Sequence, residues 1–229
     1  MARHPHFGTG LFRFLTELAE NNQRDWFRAN KARYEAEVRD PALHFIADFG
    51  PRLERLSPHY RADPRPVGGS LFRIHRDVRF SQDKSPYKTH VGVHFRHESA
   101  KDAHAPGFYL HLEPRNVFVG VGIWHPDAGA ASRIREAIVD DPGRWKRILA
   151  RRPFRTAFQL SGEYLKRPPR GIDADHPLIG DLKRKDFIAT ARLSQKEVCA
   201  PDFLDRFTRH CNAGAAFAAF LTDALDLSW

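Results

Sequence analysis

The sequence predicts an α+β fold: N-terminal helices, a central and mainly antiparallel sheet, and C-terminal helices, with one sheet face packed on helices and the other basic. Three observations carry it. Apolar residues recur at helical spacing up to Leu56, the period changes to two from Leu71, and helical spacing returns near Ala131. Short connections between the period-two runs argue for antiparallel pairing.

In chain order, Thr9 caps a first helix carrying Leu11, Phe14, Leu15 and Leu18, which ends at Asn21-Asn22. Asp25 caps a second, with Trp26, Asn30, Tyr34 and Val38 on one side. Pro41 suits the first turn of a third, whose buried stripe is Leu43, Ile46, Phe49, Leu53 and Leu56. Pro58 to Gly69 is turn-rich. Four strands follow: Leu71–Val78, Lys88–His97, Phe108–Glu113 and Val117–Trp124, the last two joined by the short Pro114-Arg115-Asn116 connection as a hairpin. Ile134 and Ile138 mark the returning helix, and Pro142 opens another with Trp145, Ile148 and Leu149. Phe154 to Asp186 reads as irregular, since Pro168-Pro169 forbids a helix interior. Pro201 starts a terminal helix with Phe203, Leu204, Phe207 and Cys211.

The chain of 229 residues is read as one domain spanning 1–229. Its 18 Phe and 4 Trp supply a core, which excludes intrinsic disorder. No apolar run is long enough to span a bilayer, and Met-Ala-Arg-His-Pro at the N-terminus lacks a signal-peptide stretch. Two cysteines, Cys199 and Cys211, give no disulfide framework and no cysteine zinc site, so the expectation is a reduced, cytoplasmic protein with no membrane partner. The formal charge is +9. Residues 61–104 hold 9 bases and 5 acids, and residues 144–186 hold 12 bases and 5 acids. Such surfaces attract phosphates and other anions, nucleic acid among them; Arg-rich solvated faces are the plain alternative.

Strand parity sorts the side chains. One face collects Phe72, Ile74 and Val78, then Val91, Val93 and Phe95, then Phe108, Leu110 and Leu112, then Val117, Val119, Val121 and Ile123. The other gathers Arg73, His75 and Asp77, then Lys88, His90, His94 and Arg96, then Tyr109, His111 and Glu113. Phe118, Gly120, Gly122 and Trp124 complete it, the glycines allowing close approach of another group and the aromatics acting as walls. A salt-bridged face covered by other chain segments is the competing reading. The loop from Arg76 to His90 adds Arg79, Lys84 and Tyr87, with Ser81, Ser85 and Thr89 as further donors, and reads as an anion clamp. Lys166, Arg167 and Arg170, held apart by the two prolines, are expected to complete the cleft from its opposite wall or to contact a nucleic-acid backbone.

The segments GGSLFRIHRDVRFSQDKSPYKTH, APGFYLHLEP, VGVGIWHP, LKRPPRGIDADHPLIGDLKRKDF and NNQRDWF resemble the domain of unknown function 2461 family of bacteria and fungi. The resemblance runs from Phe14 to Trp229 and implies a full-length domain, without an activity to carry over. Arg73, Arg76, Asp77, Arg79, Lys84, Tyr87, Lys88 and His90 match its motifs, as do Lys166, Arg167, Arg170 and His176.

The reading that follows is a small anionic, phosphate- or carboxylate-bearing ligand held by Arg73, Arg76, Arg79, Lys84, Tyr87, Lys88, Arg96, Tyr109, His111, Trp124, Lys166, Arg167 and Arg170. His90, His75 and Asp77 are the candidates for acid–base chemistry, and a nucleic-acid-binding module is the alternative function. No residue is assigned as a metal ligand: His75, His90 and His111, with Asp77 or Glu113, could form a zinc or iron cluster only if strand register brings them together, isolated hydrogen-bonded histidines being the alternative. No nucleophile elbow, P-loop or dinucleotide fingerprint occurs, and composition indicates neither a cofactor nor an oligomeric state.

Overall fold

A computed structural model describes residues 4–99 and 104–229. Residues 1–3 of the N-terminal stretch, and Lys101 and Asp102 of the first basic segment, lie outside the described residues. Helix α1 (Thr9–Glu20) buries Leu11, Phe14, Leu15 and Leu18 as its spacing requires, with Gly8 rather than Thr9 at the N-cap. Helices α2 (Arg24–Ala29) and α3 (Lys31–Tyr34) lead into a π-helical turn, Glu35–Arg39, and then α4 (Asp40–Leu56). The expected break before Pro41 is therefore a widened turn in a continuing helix. Pro41 has no N–H for the carbonyl four residues back and its ring crowds that carbonyl, so the backbone opens instead of stopping.

Among the described residues, β1 (Val91–Arg96), β2 (Gly107–Glu113), β3 (Asn116–Ile123), β4 (Gln159–Ser161) and β5 (Phe187–Leu193) form one sheet in the order β1-β2-β3-β5-β4. Every neighbouring pair is antiparallel. Helices α5 (Ala128–Asp140), α6 (Pro142–Ala150) and α7 (Arg152–Ala157) precede β4; α8 (Ile179–Leu182) precedes β5; α9 (Gln195–Val198) and α10 (Phe203–Asp223) follow it. The fold is α+β, with helices at both ends of the chain.

The apolar face of β1, β2 and β3 is buried as parity predicts. Helix α10 lies so close to it that a Cβ on Gly214 would sit 3.1 Å from Val121. Phe49 of α4 meets Phe207 of α10 at 4.8 Å and Phe95 of β1 at 4.7 Å between ring centroids, closing the core. No described helix is long and apolar enough to cross a membrane.

Two expectations need correction. Leu71–Val78 is not a strand but a broken edge, bridged at Leu71 to Val93 and at His75 to Tyr87. From the first bridge to the second, four steps on one side face six on the other, so two extra residues bulge out between Tyr87 and Val93. The break also turns Phe72 away from the core, onto the His94 and Tyr109 rings. Second, the stretch read as irregular contains most of α7, with β4 and α8, and β5 directly follows it. In β5 the core-facing positions include Ala189 and Ala191, too small to produce a visible apolar alternation yet buried beside β3.

Candidate functional site

On the open sheet face, register sets Gly92 opposite His111 and His94 opposite Tyr109. His111 stacks between His90, at 4.6 Å, and Phe118, at 4.7 Å. Its Nδ1 pairs with the Tyr109 hydroxyl at 3.1 Å and its Nε2 with Glu113 Oε2 at 3.3 Å, while Asn116 Nδ2 donates to the same Glu113 oxygen at 2.8 Å. One nitrogen from each of His90 and His111 and one Glu113 oxygen lie within 4.8 Å of one another. Burial holds the His90 imidazole down to about 4, with His111 adding to the effect and Glu113 opposing it. Burial likewise lowers His111 and pushes the Tyr109 phenol up. Glu113 is lowered, because hydrogen bonds from Asn116 and His111 outweigh its desolvation.

Gly122 leaves no hollow, since a Cβ there would fall 2.0 Å from the Phe187 carbonyl oxygen of β5, and a Cβ at Gly120 would already touch Tyr109 at 3.4 Å. A Cβ at Gly92 would fall 2.6 Å from the Tyr109 hydroxyl, and one at Gly107 would fall 2.2 Å from His94 Nε2, so the Tyr109 and His94 rings occupy the room the glycines free. His94 is buried, its Nδ1 has no hydrogen-bond partner among the described residues, and burial lowers its imidazole to about 4.

A concavity lies at the β1 edge of the sheet, between α2 and the 75–87 loop. Its volume is about 580 Å³, and Arg24, Phe27, Arg28 and Lys31 line it on one side, with His75, Arg76, Val78, Pro86 and Tyr87 on the other. Phe27 stacks on Tyr87 at 4.1 Å to make its aromatic base. No carboxylate is among the lining residues; outside the lining, Asp25 stands 3.4 Å from Arg28, Glu35 stands 4.0 Å from Lys31, and Asp83 pairs with Arg76.

The expected site residues thus divide. His75, Arg76 and Tyr87 line the groove. His90, Tyr109 and His111 belong to the sheet-face cluster. Asp77 and Arg79 are exposed and pair with each other, which lowers the Asp77 carboxyl to about 2 and makes it a poor base. Lys84 donates to Val78 O at 3.0 Å. Lys88 donates to Arg73 O at 2.8 Å, Arg73 itself being exposed, and burial followed by the Arg73 charge lowers Lys88. Arg96 is half-buried at the end of β1. Trp124 lies beyond β3, its ring stacked on His104 at 5.7 Å and tilted against His125 at 4.1 Å. Lys166, Arg167 and Arg170 are exposed on the loop after β4, the strand at the other edge of the sheet from β1, and none lines the groove. Four strand spacings, about 19 Å, separate those edges. Cys199 caps α9 and Cys211 is buried in α10.

Sequence reasoning missed Arg24, Arg28 and Lys31. Their spacing of four and three is a helical face, and that signal was available.

The family model described as conserved hypothetical protein (DUF2461) matches residues 10–220. No curated protein matches the chain. With that match covering most of its length, the chain belongs to the DUF2461 family.

Proposed function

We infer that the chain binds a small molecule bearing a phosphate or carboxylate in the groove between α2 and the 75–87 loop. The observation that carries this reading is the lining itself: Arg24, Arg28, Lys31 and Arg76 with His75, and no acid among them. A volume of about 580 Å³ is in the range of small-molecule sites, and an aromatic base under a cationic rim suits an anion attached to an apolar or planar body. Arginine forks favour oxyanions through paired charge-assisted hydrogen bonds. His75 brings an imidazole to the lining beside these bases.

Pyrophosphate, titrated calorimetrically into the full chain, is the probe. Arg24 and Arg28 are exposed, and replacing both with Ala leaves the core untouched. The double variant should bind at least about tenfold more weakly, the loss of one charge-assisted hydrogen bond or more. Equal affinity in the two proteins overturns the reading.

The alternative, a nucleic-acid contact, is favoured by a different observation: Arg144, Arg147 and Arg151 line a second depression on α6. Steep log-linear weakening of oligonucleotide binding with salt, abolished by Arg147→Ala and Arg151→Ala together, would support it.

A further inference from the structure

The sheet-face cluster is separate from the groove, and no residue is shared between them. We propose that His90, His111 and Glu113 form a binding site for a divalent transition metal, with Zn²⁺ as the best fit. The donor set is two imidazoles and a carboxylate, the mixture that holds zinc with one coordination position left open. His111 Nε2 and Glu113 Oε2 stand 3.3 Å apart. That matches the edge of about 3.4 Å between neighbouring ligands of a tetrahedral zinc at about 2.1 Å from each. The widest separation in the triad, up to 4.8 Å, closes by rotation of side chains that are not fully buried, since His90 sits in the bulge before β1 and the Glu113 side chain is 31% exposed.

The surroundings match what metal-bound groups require. Tyr109 meets His111 Nδ1 at 3.1 Å. A hydroxyl can donate or accept, so His111 can hold its proton on Nδ1 and turn a bare Nε2 toward an ion without losing that hydrogen bond. Asn116 Nδ2 donates to Glu113 Oε2 at 2.8 Å and steadies the carboxylate. Phe118 stacked on His111 fixes the plane of the ring. The register explains why these groups meet. Glu113 pairs with Asn116 beside the β2–β3 turn, His111 lies two residues back on the same face, and the two-residue bulge brings His90 over it.

The test uses the full chain, stripped with a chelator and titrated with Zn²⁺ by calorimetry, with the histidine ring signals followed by NMR. The expected result is one equivalent bound, with the His90 and His111 signals moving first. Glu113→Gln and His90→Asn should each weaken binding at least tenfold. Zinc should raise the melting temperature of the unaltered chain by more than that of either variant. His90 lies in a bulge outside the regular strand, so His90→Asn is the variant that keeps the fold if Glu113→Gln does not. Absence of stoichiometric binding overturns the proposal, as does binding that a folded His90→Asn variant retains at full strength.

Discussion

Asn22 and Tyr87 exchange two hydrogen bonds: Asn22 Nδ2 donates to the Tyr87 carbonyl at 2.9 Å, and Asn22 Oδ1 accepts from the Tyr87 N–H at 3.0 Å. A single amide side chain thereby acts as a short strand partner, tying the entry of α2 to the loop 65 residues away. The same two segments form the walls of the basic groove. Asn22→Ala leaves both Tyr87 backbone groups unpaired where they are partly buried, and should cost about 1–3 kcal/mol. Asn22→Asp keeps the acceptor but loses the donor, and should fall between. Urea midpoints rank the three proteins; an Asn22→Ala midpoint equal to that of the unaltered chain contradicts this account of the clamp.

Gly122 holds β3 against β5. Its φ is +124°, and a Cβ there would fall 2.0 Å from the Phe187 carbonyl oxygen, a backbone atom that cannot swing aside. Gly122→Ala should therefore destabilise by more than about 3 kcal/mol or prevent folding. Gly120→Ala meets only ordinary contacts, 3.4 Å from Tyr109 at the nearest, and should cost far less. Expression and melting temperature of the two variants distinguish strand pairing from a general intolerance of the face.

Asp186 is buried and serves the fold. Its carboxylate accepts from the His125 N–H at 2.8 Å and the Glu163 N–H at 2.9 Å, and His125 Nδ1 lies 2.8 Å away. Removing it orphans two backbone donors at once. Asp186→Ala should lose about 2–5 kcal/mol, and Asp186→Asn, which retains one acceptor oxygen, should lose less. Chemical denaturation of both measures this, and equal losses would contradict the donor count.

Stability should fall as the solution is acidified from pH 7 to pH 5. His94 is held neutral down to about 4 by burial, with Arg96 and His104 adding to the effect. In the unfolded chain an imidazole takes its proton near 6.5. Between those values the unfolded chain binds the extra proton, so stability rises with pH in this window and levels off above it. His94 alone accounts for about 2 kcal/mol at pH 5, with His90 and His111 adding in the same direction. The window lies above that of the lowered carboxylates, whose contribution is lost only at more acid pH. His94→Met fills the volume without titrating and should flatten the slope; an unchanged slope contradicts the assignment.

The helical and strand periods were legible because large apolar residues mark them, as in α1, β2 and β3. Strand β5 was hidden because Ala189 and Ala191 do on the core face what Val119 and Val121 do opposite them, with too little apolar surface to register as alternation. Parity placed His94, Tyr109, His111 and Glu113 on one face, since it depends only on pleating; His90 joins them through the bulge before β1, which parity does not describe. It failed at Phe72, where a bulge shifts the register. Parity also says nothing about contacts across elements, and so Arg24, Arg28 and Lys31 could not be joined to His75 and Arg76 before the fold placed α2 beside the loop.

The most direct test of the basic groove maps the perturbed residues. Backbone and arginine side-chain NMR signals of the full chain are followed as pyrophosphate is added. The account predicts that Arg24, Arg28, Lys31, His75 and Arg76 shift together along one saturating curve while Lys166, Arg167 and Arg170 stay in place. Shifts confined to the 166–170 loop or to Arg147 and Arg151 on α6, with the groove signals unmoved, would contradict it.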